Sequence, residues 1–263
     1  MPTDLSLLFV GLLPPIVLAV IAWAISLRLA DVSIVDSFWS ILIVSAGFTY
    51  CIAMSWWSWR DITILALASA WAGRLSTHIT LRGLGEPEDR RYRAIRQRNQ
   101  PHFEIKSLYL VFMLQAFLAW IVSFALLGAL GANNTSLLLD TLAGIAVVVG
   151  LTIQGVADWQ LERFKSSHYS DGAVLDTGLW RYSRHPNYFG EFVIWWGFFL
   201  FSASAGVWWT IVSPLLMSVL LMRVSGVTLL ESDIESRRPA YAEYVKSTNA
   251  FFPWFPNARG EGR

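Results

Sequence analysis

The sequence has a single cysteine, Cys51, which excludes an internal disulfide and any cysteine-based zinc or iron–sulfur centre. Charge is scarce too. Asp, Glu, Lys and Arg make up 15% of the 263 residues, against about a quarter in ordinary soluble domains. That deficit excludes a disordered chain, a coiled coil and a soluble nucleic-acid-binding domain. Gly83-Leu84-Gly85 is followed by Glu-Pro-Glu, so no G-x-G-x-x-G fingerprint is present, and there is no P-loop. The four histidines, His78, His102, His168 and His185, show neither H-E-x-x-H nor i,i+4 pairing, and no metal site is expected. What the chain does have is apolar bulk. Hydrophobic residues make up 55% and aromatics 14%, with 14 Trp. Mean hydropathy is +0.47.

Leu5 to Leu27 is uncharged over 23 residues, enough for a helix to cross a hydrocarbon core of about 30 Å. No basic segment precedes it, which argues against a cleaved signal peptide. Pro14-Pro15 predicts a kink within it. Six further apolar stretches follow, near Val32–Trp57, Ile62–Leu81, Leu108–Leu130, Leu137–Ala157, Tyr188–Ala203 and Val207–Leu230. The expectation is an all-α integral membrane protein of about seven transmembrane helices. It reads as a single polytopic domain over 1–263, with a cofactor-binding half at approximately 150–256.

The Lys and Arg residues sit between the third and fourth stretches, between the fifth and sixth, and after the seventh. Gly131–Ser136 and Ser204–Gly206 contain none. By the positive-inside rule the basic segments face the cytoplasm, the N-terminus lies outside and the C-terminus inside. Arg60 is the one exception.

The densest polar run is Asp176 to Glu191. Gly178 suits a turn and Pro186 a helix start. Arg184 and His185 then precede a helix N-terminus, where cations, N–H groups and the dipole favour an anion. Trp180, Arg181 and Tyr182 read equally well as an interfacial anchor. Asn187 and Glu191 share a helical face at i and i+4. A carboxylate inside a span costs about 2.5–3.5 kcal/mol, so Glu191 is expected to face a polar, ligand-lined cavity.

Asp158, Glu162 and Lys165 also share a face, which reads either as a solvated helix end or as a second wall of that cavity. On the second reading Arg163 and Lys165 meet phosphate. Further along, Arg237 and Arg238 suit a bidentate phosphate clamp, with Glu231 before them and Tyr241 and Tyr244 at i and i+3 after them. Phe251 to Trp254 reads as a membrane-surface anchor.

Asp36 is an isolated acid four residues into the second stretch. In low dielectric a carboxyl stays protonated and serves as a donor. The loop Arg82–His102 holds an excess of Arg, half of it lipid-facing charge. Its Asp89, Arg91 and Tyr92 form a candidate lid, with Tyr92 a second candidate proton donor.

Asp158 through Lys165, the run Gly178 to Glu191 and the terminal Tyr241, Tyr244 and Pro253 together resemble the membrane steroid 5α-reductase family. Within it they more closely resemble its bacterial branch, formerly a domain of unknown function. The resemblance covers most of the chain and is strongest from Gly150 to Pro256. It implies seven transmembrane helices, NADPH bound by the later helices, and reduction of the C4–C5 double bond of 3-oxo-Δ4 steroids. By position, Asp158, Tyr182, Asn187 and Glu191 match polar residues of the family's cofactor site, within a run that includes Arg184, His185 and Tyr188. Lys165 matches a family arginine, and Tyr244 a tyrosine near the adenosine phosphates.

The animal enzymes polarise the ketone with a Gln-Glu pair and a Tyr. Here Asp36 lacks the preceding Gln and Trp71 stands near the Tyr position, so that either Tyr92 substitutes for the family phenol or the substrate differs. The resemblance thus implies a monomeric NADPH-dependent reductase in the bacterial inner membrane. Its apolar substrate enters from lipid, its other partners are membrane lipids, and it has no nucleic-acid partner. The alternative is an S-adenosylmethionine-dependent methyltransferase of the isoprenylcysteine type, which shares the Arg-His-Pro-x-Tyr-x-Gly element. A transporter is disfavoured, because no inverted repeat is present.

Overall fold

The computed structural model describes residues 5–55, 57–167, 173–224 and 241–256. The described residues form helices and connecting turns, with no strand among them. Four helical stretches are long and apolar enough to cross a membrane: Ser6–Leu29, Ile34–Met54, Phe103–Ala129 and Leu137–Ser166. A shorter apolar stretch covers Trp208–Arg223. Several such helices in one chain make it a multi-pass membrane protein.

The chain divides into two compact units. The first is Met1–Ser136 with Ser202–Ser213, and the second is Leu137–Phe201 with Pro214–Arg263.

The first unit begins with α1 (Leu5–Val10) and α2 (Leu13–Leu29). The break between them falls at Gly11-Leu12, just before the two prolines, which open α2 as its first turn. Proline fits there because a first-turn N–H has no helical partner anyway. Gly11 has a packing reason. A Cβ on it would lie 1.9 Å from the Tyr50 ring. Tyr50 belongs to α3 (Ile34–Met54), which packs against α2, α4 (Trp59–Gly83) and α7 (Leu114–Val122). Leu42, Ile43, Ala46 and Tyr50 of α3 are fully buried, as is Trp71 of α4. The Tyr50 hydroxyl meets Ser123 Oγ at 3.0 Å, which satisfies two polar groups in an apolar interior.

Asp61 starts α4. Its Oδ2 accepts from Ser58 N and Oγ at 3.0 and 2.7 Å, and its Oδ1 accepts from Gly131 N at 2.9 Å. Arg60, the exception to the charge pattern, donates to the carbonyl of Ala129.

Between α4 and α7 the chain forms α5 (Arg90–Arg98), α6 (Phe103–Ser107) and a π-helical turn, Leu108–Met113. The apolar stretch expected from Leu108 thus begins five residues earlier, at Phe103. After α7 comes α8 (Phe124–Ala129).

The second unit is built on α9 (Leu137–Ser166) and most of α10 (Pro186–Ser204). α9 runs past the expected end at Ala157, so the Asp158–Lys165 segment continues the same helix. Gly150 and Gly190 let the two backbones touch. A Cβ on either would come within 2.7 Å of the other's carbonyl oxygen. Gly197 likewise makes room for the Val147 side chain, whose Cγ2 a Cβ there would meet at 2.7 Å. This close approach of small residues is a usual way for apolar helices to associate where lipid removes the hydrophobic drive. α11 (Val212–Val219) and α12 (Tyr241–Ser247) complete the described helices.

Candidate functional site

In the first unit, the turn joining α2 to α3 brings together residues far apart in sequence. Asp36 lies in the first turn of α3. The Tyr92 hydroxyl donates to Asp36 Oδ1 at 2.6 Å, and Arg91 Nη2 donates to Asp36 Oδ2 at 2.8 Å. Arg91 Nε also reaches Asp89 Oδ1 at 2.9 Å, and Asp89 caps α5 by accepting from the Arg91 backbone N–H. The group is fixed from behind by Glu88. Its carboxylate accepts from Val32 N at 2.9 Å and from Arg96 at 2.7 and 2.9 Å. Arg96 also lies over the Phe103 ring, 4.8 Å from its centroid.

The electrostatics follow from these contacts. Burial, and then the Asp36 charge, push the Tyr92 phenol well above the ordinary tyrosine range. Burial pushes Asp89 up, but the Arg91 guanidinium outweighs it and the carboxyl sits low. Burial likewise pushes Glu88 up, and the Arg96 and Val32 hydrogen bonds outweigh it. Arg91 is held charged: burial lowers it, while Asp36 and Asp89 raise it further.

This geometry alters the role expected of Asp36. With both oxygens accepting, one from a guanidinium, it has the hydrogen bonding of a carboxylate rather than of a protonated donor. The phenol carries the proton. Tyr92 is 6% exposed, while about a quarter of the Asp36 side chain remains accessible.

In the second unit, two polar stripes at i,i+4 face each other across α9 and α10. Asn187 Nδ2 donates to Asp158 Oδ1 at 2.9 Å. One turn along, Gln154 Nε2 donates to Glu191 Oε2 at 2.7 Å, and Trp195 Nε1 donates to Glu191 Oε1 at 3.0 Å. Gln154, Asp158 and Glu191 are each at most 5% exposed. Both Glu191 oxygens are therefore engaged within the protein, as a polar strut rather than the open cavity wall expected from sequence. Gln154 lies four residues before Asp158, on the same face, and carries no charge to draw attention to it.

Several other expected ligand-facing residues also have internal work. Arg184 Nη1 donates to the carbonyls of Thr248 and Val245, at 2.6 and 3.3 Å, so it caps the C-terminal end of α12. The Tyr244 hydroxyl donates to the carbonyl of Trp180 and reaches that of Ser183 at 3.3 Å. Tyr241 packs edge-on against Tyr244. His185 stacks on Tyr188 with centroids 5.7 Å apart.

Gly178 turns the chain with a φ of +62°, and any side chain there would collide with Gln160. Trp180 Nε1 then bonds the Ala157 carbonyl at 3.0 Å, so Trp180 is a buried prop, not an interfacial anchor. Tyr182, 38% exposed, remains accessible. The terminal aromatic segment splits. Phe251 is buried against Phe189 and Phe192, while Trp254 stays 69% exposed. Only the outer part of Phe251–Trp254 therefore has the exposure of a surface anchor.

Arg163 and Lys165 are exposed on the last turns of α9, with Arg163 over the Trp159 ring. Glu231, Arg237 and Arg238 lie outside the described residues.

A family model described as "Protein of unknown function (DUF1295)" matches residues 22–248, most of the chain. The chain belongs to this family. The DUF1295 match takes in Asp36, Tyr92, both stripes of α9 and α10, and Tyr244; it stops before Phe251. An uncharacterized protein of Schizosaccharomyces pombe is 28% identical over 280 residues, covering 93% of this chain and 79% of that protein. No solved structure matches the chain.

Proposed function

We propose that this protein is an NADPH-dependent reductase of apolar enones, 3-oxo-Δ4 steroids or compounds like them. In this reading the chain crosses a bacterial inner membrane seven times, with its N-terminus outside and its C-terminus cytoplasmic. The observation that carries the proposal is the 2.6 Å hydrogen bond from the Tyr92 phenol to an Asp36 that is also ion-paired to Arg91. The likeness of the Asp158–Lys165 and Gly178–Glu191 segments to the steroid 5α-reductase family supports the choice of reaction.

The phosphate end of such a cofactor fits the donors present. Arg163 and Lys165 are exposed cations at one helix end, and Arg181 is exposed on the neighbouring loop. Asn187, Tyr182 and Tyr188 would border it, with Asp158 holding Asn187 from behind. Arg184, Tyr244 and Glu191 would instead keep that surface in shape, given the bonds they already make.

NADPH, when bound, supplies the hydride that adds to the enone β-carbon. Tyr92 then has a definite task. A phenol held well above its ordinary pKa stays protonated at neutral pH and is a persistent hydrogen-bond donor. It turns from Asp36 to the substrate ketone oxygen as negative charge develops there. Arg91 offsets the charge of Asp36, so the oxyanion does not face an uncompensated carboxylate. The α-carbon takes its proton from water, and the product is the saturated ketone.

Thermal shift of the purified protein with NADPH, NADH and S-adenosylmethionine tests the reading. NADPH should stabilise most; preferential stabilisation by S-adenosylmethionine would overturn the proposal in favour of methyl transfer. NADPH oxidation with a 3-oxo-Δ4 steroid should then fall about 10²-fold or more in Tyr92→Phe. Full activity in both Tyr92→Phe and Asp36→Asn would remove this group from the chemistry.

A further inference from the structure

α5 has nine residues, and Tyr92 is its one buried residue. A helix of that length is marginal in water, and a single buried side chain fixes little of its orientation. Polar ties must therefore set how α5 lies. One tie is at Asp36, whose two carboxylate oxygens are taken by Arg91 and Tyr92, neighbours in sequence. Held at one turn only, a helix still pivots about it.

The second tie is Arg96, four residues after Tyr92 on the same face and about 6 Å further along the axis. Its Nε and Nη2 donate to the two oxygens of Glu88 at 2.9 and 2.7 Å, a fork that Arg makes and Lys cannot. Nη2 also reaches the Ala30 carbonyl at 3.2 Å, and Glu88 Oε1 accepts from Val32 N at 2.9 Å. Ala30 and Val32 flank Asp31 in the turn that leads into α3 and Asp36. Ala30 takes a left-handed φ of +53°, unusual for a residue with a Cβ, so this turn needs holding. The Glu88 side chain is 9% exposed, and a carboxylate so buried is costly to leave unpaired. The pair therefore stays closed in the resting protein.

We infer that Glu88 and Arg96 are positioning residues for Tyr92: their pair locks α5 to the turn between α2 and α3, so that the phenol reaches a substrate oxygen by rotating its side chain while the helix stays in place. The inference rests on the reductase reading for that last step, and the docking of Tyr92 is tested apart from turnover.

Fluorine NMR of the full-length protein in detergent, labelled with 3-fluorotyrosine, tests the docking. Tyr92 is assigned by its loss in Tyr92→Phe. Tyr244, equally buried but in the other unit, reports whether the fold is intact. Two variants are compared with wild type. Arg96→Met keeps the stem over Phe103 and removes the hydrogen bonds; E88Q/R96M leaves no charge of the pair behind. A soluble gadolinium chelate should relax Tyr92 severalfold faster in both variants, with Tyr244 unchanged. Tyr92 relaxation equal to that of wild type would overturn the inference. Should Arg96→Met fail to fold, seen as a matching gain at Tyr244, E88Q/R96M decides alone. In NADPH oxidation with a 3-oxo-Δ4 steroid, kcat per folded enzyme should fall about 10- to 100-fold in the same variants, while KM for NADPH stays within about twofold. An unchanged kcat with Tyr92 uncovered would overturn the positioning role. If wild type itself oxidises no NADPH with any enone, the reductase reading falls, and the relaxation of Tyr92 still decides the docking.

Discussion

Gly150 and Gly190 face each other so closely that a methyl group on either would stand 2.7 Å from the other's carbonyl oxygen. Backbone has no rotamer with which to yield, so the helices themselves would have to part. Gly190→Ala should cost about 1–3 kcal/mol and lower the thermal midpoint in detergent. Gly73 is the control. It is exposed on α4 with nothing within 4 Å of a built Cβ, and Gly73→Ala should stabilise by about 0.5–1 kcal/mol. Equal effects at the two sites would mean that helix propensity, not close packing, governs.

The Gln154–Glu191 bond predicts strong coupling. Each single change to Ala leaves a buried polar partner without its bond, while the double change removes both. A double-mutant cycle on thermal or chemical denaturation should give a coupling of about 0.5–3 kcal/mol. Glu191→Gln is informative on its own. It sets an amide N–H against one of the two donors, Gln154 or Trp195, and should destabilise despite its near-identical shape.

Asp61 is nearly fully buried and accepts from Ser58 N, Ser58 Oγ and Gly131 N. Asp61→Ala removes the capping box of α4 and the tie to Gly131 at once. A loss of about 1–3 kcal/mol is expected, read as a fall in the denaturation midpoint. A change below about 0.5 kcal/mol would show that water replaces these bonds at little cost.

The Tyr92 and Glu88 shifts give opposite pH signatures. The folded pKa of Tyr92 is raised, so its contribution is fully present below the unfolded value of about 10 and is lost as pH rises toward the folded value. The stability difference between wild type and Tyr92→Phe should stay flat from neutral pH to about 9 and shrink above about 10. The folded pKa of Glu88 is lowered, so its contribution is present above the unfolded value and fades as pH falls through the folded one. Wild type should therefore lose stability below about pH 4 more steeply than Glu88→Gln. Parallel curves in that range would exclude Glu88 as an acid-sensitive tie.

Much of the candidate site was legible as parts and not as pairs. The i,i+4 spacing of Asn187 and Glu191 put them on one face, and α10 starts at Pro186 as its sequence predicts. Their partners were harder to read. Gln154 is uncharged and sits among apolar residues, so nothing local marks it. Arg184 reads as an anion site because it precedes a helix N-terminus, yet it caps the end of a helix 57 residues further on. A guanidinium reaches several ångströms and takes the nearest orphan carbonyls, which only the folded chain supplies.

Composition and periodicity are local or averaged quantities, and they determined what is local or averaged here. The shortage of charge and the long apolar runs require helices that satisfy their own backbone in lipid, Pro186 marks where one of them starts, and the i,i+4 spacings mark which polar residues share a face. Tertiary structure alone decided which polar groups meet. Asp36 and Tyr92 are 56 residues apart, and their bond exists because α3 and α5 converge at the turn after α2. The same holds for Glu191. A buried carboxylate must find donors, but whether they come from a ligand or from Gln154 and Trp195 depends on which helix lies beside it.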